Sequence, residues 1–173
     1  AFPNLESGIS NLESRIRHLH PYKKEYIHVL MKRQPECVCV NLRRAARAMT
    51  ALYDGALAAS GIKITQFSLL RAVQRNEPAA IGALSEDLDL DRTTLARNLN
   101  PLQRDGMIEL GVGADRRVTE VRLTKKGRAA VARALPLWQK AQADVARRFA
   151  SGHLDQLRII AGEATEIAAT VRD

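Results

Sequence analysis

The chain has 173 residues, of which 46% are hydrophobic, 27% charged and only 4% aromatic. This length fits one medium-sized domain, and the hydrophobic content is too high for intrinsic disorder. No apolar run approaches the ~20 residues that span a bilayer, and no signal-peptide core is seen at the N-terminus, so we expect no membrane partner. The two cysteines cannot build a disulfide framework, which favours a reducing, cytoplasmic location.

The charge of the chain is high and unevenly distributed. Lys and Arg number 27 against 19 Asp and Glu, which gives a net charge of +8. Such an excess favours an acidic partner, with nucleic acid first and a membrane surface second. Residues 61–124 nevertheless hold nine basic and nine acidic side chains, whereas residues 31–60 and 125–173 carry +3 and +4. The basicity therefore lies on the flanks, and the middle of the chain is balanced.

The first thirty residues predict an amphipathic helix that Pro21 ends. Its apolar residues recur at alternating spacings of four and three, which is the seam of a two-heptad helix: Leu5, Ile9, Leu12, Ile16 and Leu19. Two interpretations stay open. Residues 1–36 are either an upstream extension, with Met31 as the natural start, or a helical arm that packs on a partner, most simply in a dimer.

From residue 37 the pattern predicts helices joined by short turns. A first helix within residues 37–60 has one apolar stripe and ends before Gly61; the stripe consists of Val38, Leu42, Ala45, Met49, Leu52 and Ala56. Thr65 is expected to cap a second helix that runs to about Asn76 and is terminated by Glu77-Pro78. A short third helix follows from about Ala79 to Leu88.

The next segment predicts a longer helix and a hairpin. Asp91 should cap a fourth helix of about thirteen residues, which ends at Gly106 and turns Leu95, Leu99 and Leu102 inward. Residues 108–113 and 118–123 alternate apolar with polar or small side chains around a turn rich in Gly, Asp and Arg, which indicates a β-hairpin.

The C-terminal part predicts two further helices. Thr124 is expected to cap a long helix that runs to about Ala150, with a kink at Pro136. After Ser151-Gly152 a last helix places its apolar side chains on one stripe: Leu157, Ile160, Ala164, Ile167 and Val171.

Together the elements within residues 61–124 predict a winged helix-turn-helix. The third helix would cross the DNA backbone and support the fourth, whose N-terminal half can lie in a major groove. The polar side chains of that half are ones that read base edges or contact phosphates: Arg92, Thr93, Thr94, Arg97 and Asn98. Arg116 and Arg117 lie at the hairpin tip, and a narrow A·T-rich minor groove attracts such arginines.

This ordered set of motifs resembles the MarR (multiple antibiotic resistance) family of regulators over about residues 37–171. The stretches that carry the resemblance are ITQFSLLRAVQ, IGALSEDLDLDRTTLARNLNPLQRDGMIEL and GADRRVTEVRLTKKG. The D-x-R signature of the family's wing is matched by Asp115 and Arg117. It is followed, as in the family, by Leu123-Thr124 and Gly127.

The resemblance implies a mainly α fold, with a winged helix-turn-helix DNA-binding lobe, a two-stranded β-wing and N- and C-terminal dimerisation helices. Residues 37–60 would form the first dimerisation helix, residues 61–124 the DNA-binding lobe and residues 125–173 the C-terminal dimerisation helices. It also implies a homodimer on a palindromic operator of double-stranded DNA. In this scheme Asp115 pairs with Arg117 to brace the wing, and Arg116 enters the minor groove. Pro101 departs from the pattern, so we expect base contacts only up to Asn98.

The family also implies a cleft for a small-molecule effector. Tyr53, Phe67 and Trp138 fall on the three helices that would line it, and Arg47 is a candidate partner for a carboxylate. An anionic aromatic molecule would suit such a cleft. Side chains of these types are more often part of the core or the surface than of a ligand site, so that interpretation stays open.

Cys37 and Cys39 allow two readings. Residues two apart on a helix point about 200° away from each other, so the pair cannot chelate one metal. They are either idle thiols or a redox sensor, which their place at a helix start near basic side chains would favour. His18, His20 and His28 lack zinc-site spacing. We therefore expect no metal and no cofactor.

Two other classes of function fit the sequence less well than DNA binding does. No nucleophile, metal-protease, P-loop or dinucleotide motif is present, which argues against an enzyme. A winged-helix protein-interaction module without specific DNA binding is the alternative, but arginines at both the fourth helix and the wing tip favour DNA. The sequence thus predicts a dimeric transcriptional repressor that responds to a ligand or to thiol oxidation.

Overall fold

A computed structural model describes residues 37–170, which form six α-helices, one 3-10 helix and three short strands. The predicted N-terminal helical extension, residues 1–36, lies outside the described residues together with His18, His20 and His28, as does Val171. The elements in chain order are α1 (Val38–Leu57), the 3-10 helix (Ala58–Ser60), α2 (Ile64–Arg75), β1 (Ala79–Ala80), α3 (Ile81–Asp87), α4 (Arg92–Arg104), β2 (Ile108–Val112), β3 (Thr119–Leu123), α5 (Lys125–Arg148) and α6 (His153–Thr170).

The chain divides into two units, Ala1–Arg47 and Ala48–Asp173. The described part of the first unit is residues 37–47, which are helical from Val38 and exposed except for the half-buried Asn41. The second unit contains the hydrophobic core. Its fully buried side chains come from helices α2 to α5 and from β3, together with the last residue of α1; the largest are Leu57, Leu70, Leu84, Leu95, Leu102, Val73, Val121 and Val131.

The sheet of the second unit is antiparallel, with strand order β1-β3-β2. Ile108 pairs with Leu123 and Val112 with Thr119, so β2 and β3 form the predicted hairpin. On the other side of β3, Ala79 pairs with Val121 and Ala80 with Glu120. The mainly α, winged helix-turn-helix architecture is thus confirmed. The wing strands are joined at their base by a third strand that the sequence did not predict.

Two helix starts differ from the sequence prediction. Residues 79 and 80 were expected to be helical, but their backbone bonds to β3 and α3 begins only at Ile81. Thr65 was expected to cap α2, but it lies inside the helix, whose N-cap is Lys63. Here Asp54 Oδ1 accepts a hydrogen bond from Ile64 N at 2.8 Å. An acceptor from α1 thus takes over part of the capping role assigned to Thr65.

The other predicted caps are confirmed. Asp91 Oδ1 accepts from Thr94 N at 2.8 Å at the start of α4, and Thr124 Oγ1 accepts from Gly127 N at 3.1 Å at the start of α5. Gly106 follows α4 with a φ of +65°, a left-handed conformation that glycine adopts without strain. Helices α4 and α5 continue through Pro101 and Pro136.

The terminal helices expose most of their apolar side chains. The predicted apolar stripe of α1 is not buried within the single chain: Leu57 is the buried residue of α1, and Leu52 is 41% exposed. No described residue of α6 is buried, and Ile167 is 65% exposed. None of the described helices is long and apolar enough to cross a membrane.

Candidate nucleic-acid interface

The N-terminal half of α4 presents a polar face to solvent. Leu95, Leu99 and Leu102 recur at helical spacing and are buried, so the opposite face must point outward. Four of the five predicted reading residues are exposed: Arg92, Thr93, Arg97 and Asn98. Their guanidinium, hydroxyl and amide groups are therefore available to a duplex.

Thr94 is the reading residue that the structure places differently. It is half-buried, and its hydroxyl donates to Asp91 Oδ2 at 2.6 Å while its backbone N–H donates to Oδ1 of the same carboxylate. The hydroxyl proton is thus committed to the N-cap. Contact with DNA is left to the acceptor lone pairs of the hydroxyl and to the methyl group of Thr94.

Asp91 is an acidic group close to the proposed DNA surface, and its local bonds account for its presence there. The hydroxyl of Thr94, followed by the backbone N–H of Thr94, lowers the pKa of Asp91 below its usual value, and the positive charge of Arg97 acts in the same direction. The carboxylate therefore stays ionised as the N-cap of α4. An anion at this position interacts favourably with the positive end of the helix dipole.

The tip of the hairpin between β2 and β3 is held by Asp115. Its side-chain Oδ1 accepts from the backbone N–H of Arg117 at 2.9 Å, and its carbonyl accepts from Val118 N at 2.9 Å. The pairing of Asp115 with Arg117 expected from the family resemblance is thus made through the backbone. Both Arg116 and Arg117 are exposed at this tip, with their guanidinium groups available to a minor groove.

The start of α5 is bonded to the turn that follows α4. Thr124 Oγ1 donates to the carbonyl of Gly106 at 2.7 Å, and Thr124 N donates to the carbonyl of Met107 at 3.1 Å. Lys126 Nζ reaches the carbonyl of Asp105 at 2.6 Å. Because β3 runs directly into Thr124, these bonds connect the base of the wing to the end of the reading helix.

A group of side chains at the start of α2 also lies beside the reading residues, and the sequence pattern does not predict it. Lys63, Thr65 and Gln66 line a cavity of about 220 Å³ together with Arg97 and Asn98 of α4. This places an exposed lysine next to the reading face. The signal in the sequence is the group of three polar side chains in the run K-I-T-Q at a helix start, which by itself indicates only a helix cap.

The three predicted effector residues of the second unit make contacts within that unit. Phe67 is only 3% exposed and packs on Trp138 with ring centroids 5.8 Å apart, so both rings belong to the core. Tyr53 donates its hydroxyl to Gln142 Oε1 at 2.5 Å, and burial raises the pKa of Tyr53. Arg47 is exposed at the end of the first unit.

A cavity of about 350 Å³ lies instead between the C-terminal halves of α1 and α5. Its walls are mostly apolar, with two basic side chains and one acidic side chain at the rim. The lining residues are Leu52, Ala56, Leu137, Lys140, Ala141, Asp144, Val145 and Arg148. The predicted effector residues are not among them.

Cys37 and Cys39 are free and exposed at the start of α1. Cys37 precedes the helix and its carbonyl accepts from Asn41 N at 3.2 Å, whereas Cys39 lies in the first turn. The described residues contain no group of three His, Cys, Asp or Glu side chains that could hold a metal ion.

A winged helix-turn-helix lobe with an exposed reading helix and an arginine-tipped wing defines a DNA-binding protein. The sequence profile of the MarR family matches residues 60–118. The M. tuberculosis transcriptional regulator MosR, solved in complex with DNA, is 37% identical, with a TM-score of 0.71 over 80% of this chain and 100% of that chain. The chain therefore belongs to the MarR family. It is a DNA-binding transcriptional regulator and not an enzyme.

More distant structures share the fold. Bordetella bronchiseptica BpsR is 21% identical, with a TM-score of 0.64 over 75% of this chain and 94% of that chain. A mutant of E. coli MarR in complex with operator DNA is 19% identical, with a TM-score of 0.64 over 73% and 92%. No curated protein sequence gives a significant match.

Proposed function

We propose that the protein is a homodimeric repressor that binds a palindromic operator and is released by a small-molecule effector or by thiol oxidation. The observation that carries the proposal is the exposed polar face of α4 beside the arginine-tipped hairpin. The reading residues would enter the major groove, and Arg116 and Arg117 the flanking minor groove, with Asp115 holding the tip. A regulator of this kind acts on the genome, so we place it in the cytoplasm.

The unpaired apolar surface of the terminal helices supports a dimer. On α1, Val38 is 70% exposed and Leu42 is 38% exposed; on α6, Ile159 is 59% exposed and Ile160 is 50% exposed. Burying one such side chain completely contributes about 1.5–3 kcal/mol. Apolar stripes of this length are uncommon on monomers and mark association surfaces. Two reading helices would then meet half-sites about one helical turn, ~34 Å, apart.

Arg116→Ala tests the DNA-binding surface. We expect about tenfold weaker operator binding, the order of one lost groove contact, and a salt dependence flatter by about one unit of slope for each lost phosphate contact. The operator itself is obtained by selecting bound genomic fragments. Affinity is then measured by fluorescence anisotropy over a series of salt concentrations.

Arg133→Ala is the matched control, because it removes the same charge from α5 outside both α4 and the wing. It should keep the operator affinity close to that of the wild type. Equal binding by Arg116→Ala and the wild type would count against the assignment of the wing to the minor groove.

An aromatic acid is the effector class that we propose. BpsR shares the fold, and its DNA binding is regulated by 6-hydroxynicotinic acid. Arg47, Tyr53, Phe67 and Trp138 remain the proposed pocket. Because Phe67 and Trp138 are packed together here, such a ligand would need a conformation in which these rings separate. A ligand that binds this conformation better than the DNA-binding one would release the operator.

Thiol oxidation is the second trigger that we propose, because Cys37 and Cys39 are both exposed. Peroxide should weaken operator binding by the wild type and have no effect on the double variant Cys37→Ser/Cys39→Ser. The two proteins are compared by operator titration before and after treatment, and again after reduction with a dithiol. An equal loss in both proteins would remove the sensor role.

A further inference from the structure

Glu77 joins three parts of the DNA-binding lobe through one carboxylate. Its Oε1 accepts from the backbone N–H of Leu123, the last residue of β3, at 3.0 Å. The guanidinium of Arg128 on α5 donates to both carboxylate oxygens, from Nη2 to Oε1 at 2.7 Å and from Nη1 to Oε2 at 2.6 Å. Glu77 itself lies between α2 and β1.

The geometry and charge of this contact make it strong and directional. A bidentate arginine–carboxylate pair fixes direction as well as distance. The side chain of Glu77 is only 18% exposed, which limits screening by solvent. The hydrogen bonds from Arg128 lower the pKa of Glu77, so at neutral pH the carboxylate is ionised and accepts all three bonds.

The position of the contact is what links it to DNA recognition. On the other edge of the wing base, Thr124 is bonded to Gly106 and Met107, at the end of α4. Glu77 holds the same strand end from the side of α2 and β1. Thr119, the end of the paired hairpin, lies four positions before Leu123, which is a distance of about 13 Å along the strand. A tilt of about 10° at the base would move this end by about 2 Å, enough to break a hydrogen bond.

We infer that Glu77 is a positioning residue for operator recognition: through Leu123 and Arg128 it fixes the angle of the wing relative to α4. The inference rests on the proposed role of the wing arginines in the minor groove. Glu77 touches no DNA in this scheme. It acts by keeping Arg116 within reach of the minor groove while the reading face of α4 occupies the major groove.

Glu77→Gln tests the inference because the loss of charge and the loss of wing positioning predict opposite changes in the affinity for operator DNA. The variant removes one negative charge from a DNA-binding lobe, which by charge alone strengthens binding to any DNA. Positioning predicts specific operator binding weaker by about tenfold, the order of one lost groove contact. Binding to an unrelated duplex should stay unchanged or become slightly tighter. Both affinities are measured by anisotropy at one salt concentration.

Asp87→Asn is the matched control. Asp87 forms an ion pair with Arg75 at 2.9 Å in the same lobe, and its substitution removes the same charge without touching the wing strands. It should lose no specific affinity. Arg128→Lys keeps the charge but not the bidentate geometry, and we expect it to weaken the operator complex less than Glu77→Gln does. If Glu77→Gln does not fold, Arg128→Lys is the variant that tests the inference.

A double-mutant cycle separates this inference from the proposed function. In the Arg116→Ala background, Glu77→Gln should cause little further loss, because both changes remove the same contact. Fully additive losses, or equal losses on operator and unrelated DNA, would overturn the positioning role. Wild-type binding by Glu77→Gln beside a weakened Arg116→Ala overturns only this inference. Wild-type binding by Arg116→Ala contradicts the wing assignment and the inference together.

Discussion

Gly127 shows how closely α5 approaches the turn that follows α4. A Cβ added at this position would lie 2.0 Å from the carbonyl oxygen of Met107 and 3.0 Å from its carbonyl carbon. Both atoms belong to the backbone, and the same oxygen accepts from Thr124 N. Neither atom can move without shifting the base of the wing. The glycine in the family's LT-x-x-G motif thus has a steric role in this chain.

Gly127→Ala should therefore destabilise the protein. We expect a loss of about 2–3 kcal/mol in the free energy of unfolding, the upper part of the range for inserting a methyl group into a packed site. The value is measured by urea unfolding followed by far-UV circular dichroism. The overlap with Met107 is the physical reason, because the φ of Gly127 is not in the left-handed region.

Gly82→Ala supplies the control. Gly82 also lies near the start of a helix, α3, but no atom comes within 4 Å of an added Cβ. Alanine favours the helical conformation over glycine by up to about 1 kcal/mol. Gly82→Ala should thus be as stable as the wild type or slightly more so. If Gly127→Ala were also as stable as the wild type, the backbone of Met107 would have to move away from the added methyl group at little energetic cost.

At the scale of single elements, the sequence predicts well where a local rule decides the structure. Asp91 and Thr124 each place a side-chain oxygen at a helix start, and both accept from a backbone N–H three residues later. The inward leucines of α4 follow from helical periodicity alone. The exposed reading face could therefore be predicted without coordinates.

The elements that were missed depend on partners distant in the chain. The pair Ala79–Ala80 has no intrinsic preference for a strand, and it becomes one because β3 supplies hydrogen-bond partners. Helix α2 begins one residue before the predicted cap, and Asp54 of α1 accepts from its first N–H. Neither contact can be predicted from the residues that surround it in the sequence.

The same reason explains what was missed at the site. Glu77 was read only as the end of a helix, because its partners Leu123 and Arg128 lie 46 and 51 residues away. The sequence thus predicts which groups face DNA more readily than which groups hold them in place. Reading residues are marked by local periodicity, whereas positioning residues are defined by contacts across the fold.

At the scale of the whole molecule, charge and apolar surface are separated along the chain. The segment that holds the reading helix and wing is neutral overall, while residues 125–173 carry a net charge of +4. We therefore propose that recognition by the lobe depends on a few arginines at defined positions. Helix α6 exposes most of its apolar side chains, and it has no buried residue of its own. A second copy of the chain is the partner that we propose for its apolar stripe.

Ile160→Asp tests this partner. Ile160 lies in the apolar stripe of α6 and is half exposed, so the substitution should not disturb the core of a single chain. In a dimer it would bury an unpaired charge, which is strongly unfavourable. We expect the wild type to sediment at twice the chain mass of 19.1 kDa and the variant to sediment as a monomer at micromolar concentration.

The matched control is Gly162→Asp, which places the same charge about 160° around the helix from Ile160, beside Asp155 and Glu166. It should remain dimeric. Two linked half-site contacts raise the affinity for DNA by about 10²–10⁴ over that of one half-site contact. Ile160→Asp should therefore also lose binding to the full operator. Its affinity for a single half-site should be as weak as that of the isolated lobe. A variant that stays dimeric would exclude the apolar stripe of α6 as the interface, and a monomer with full operator affinity would contradict recognition by paired half-sites.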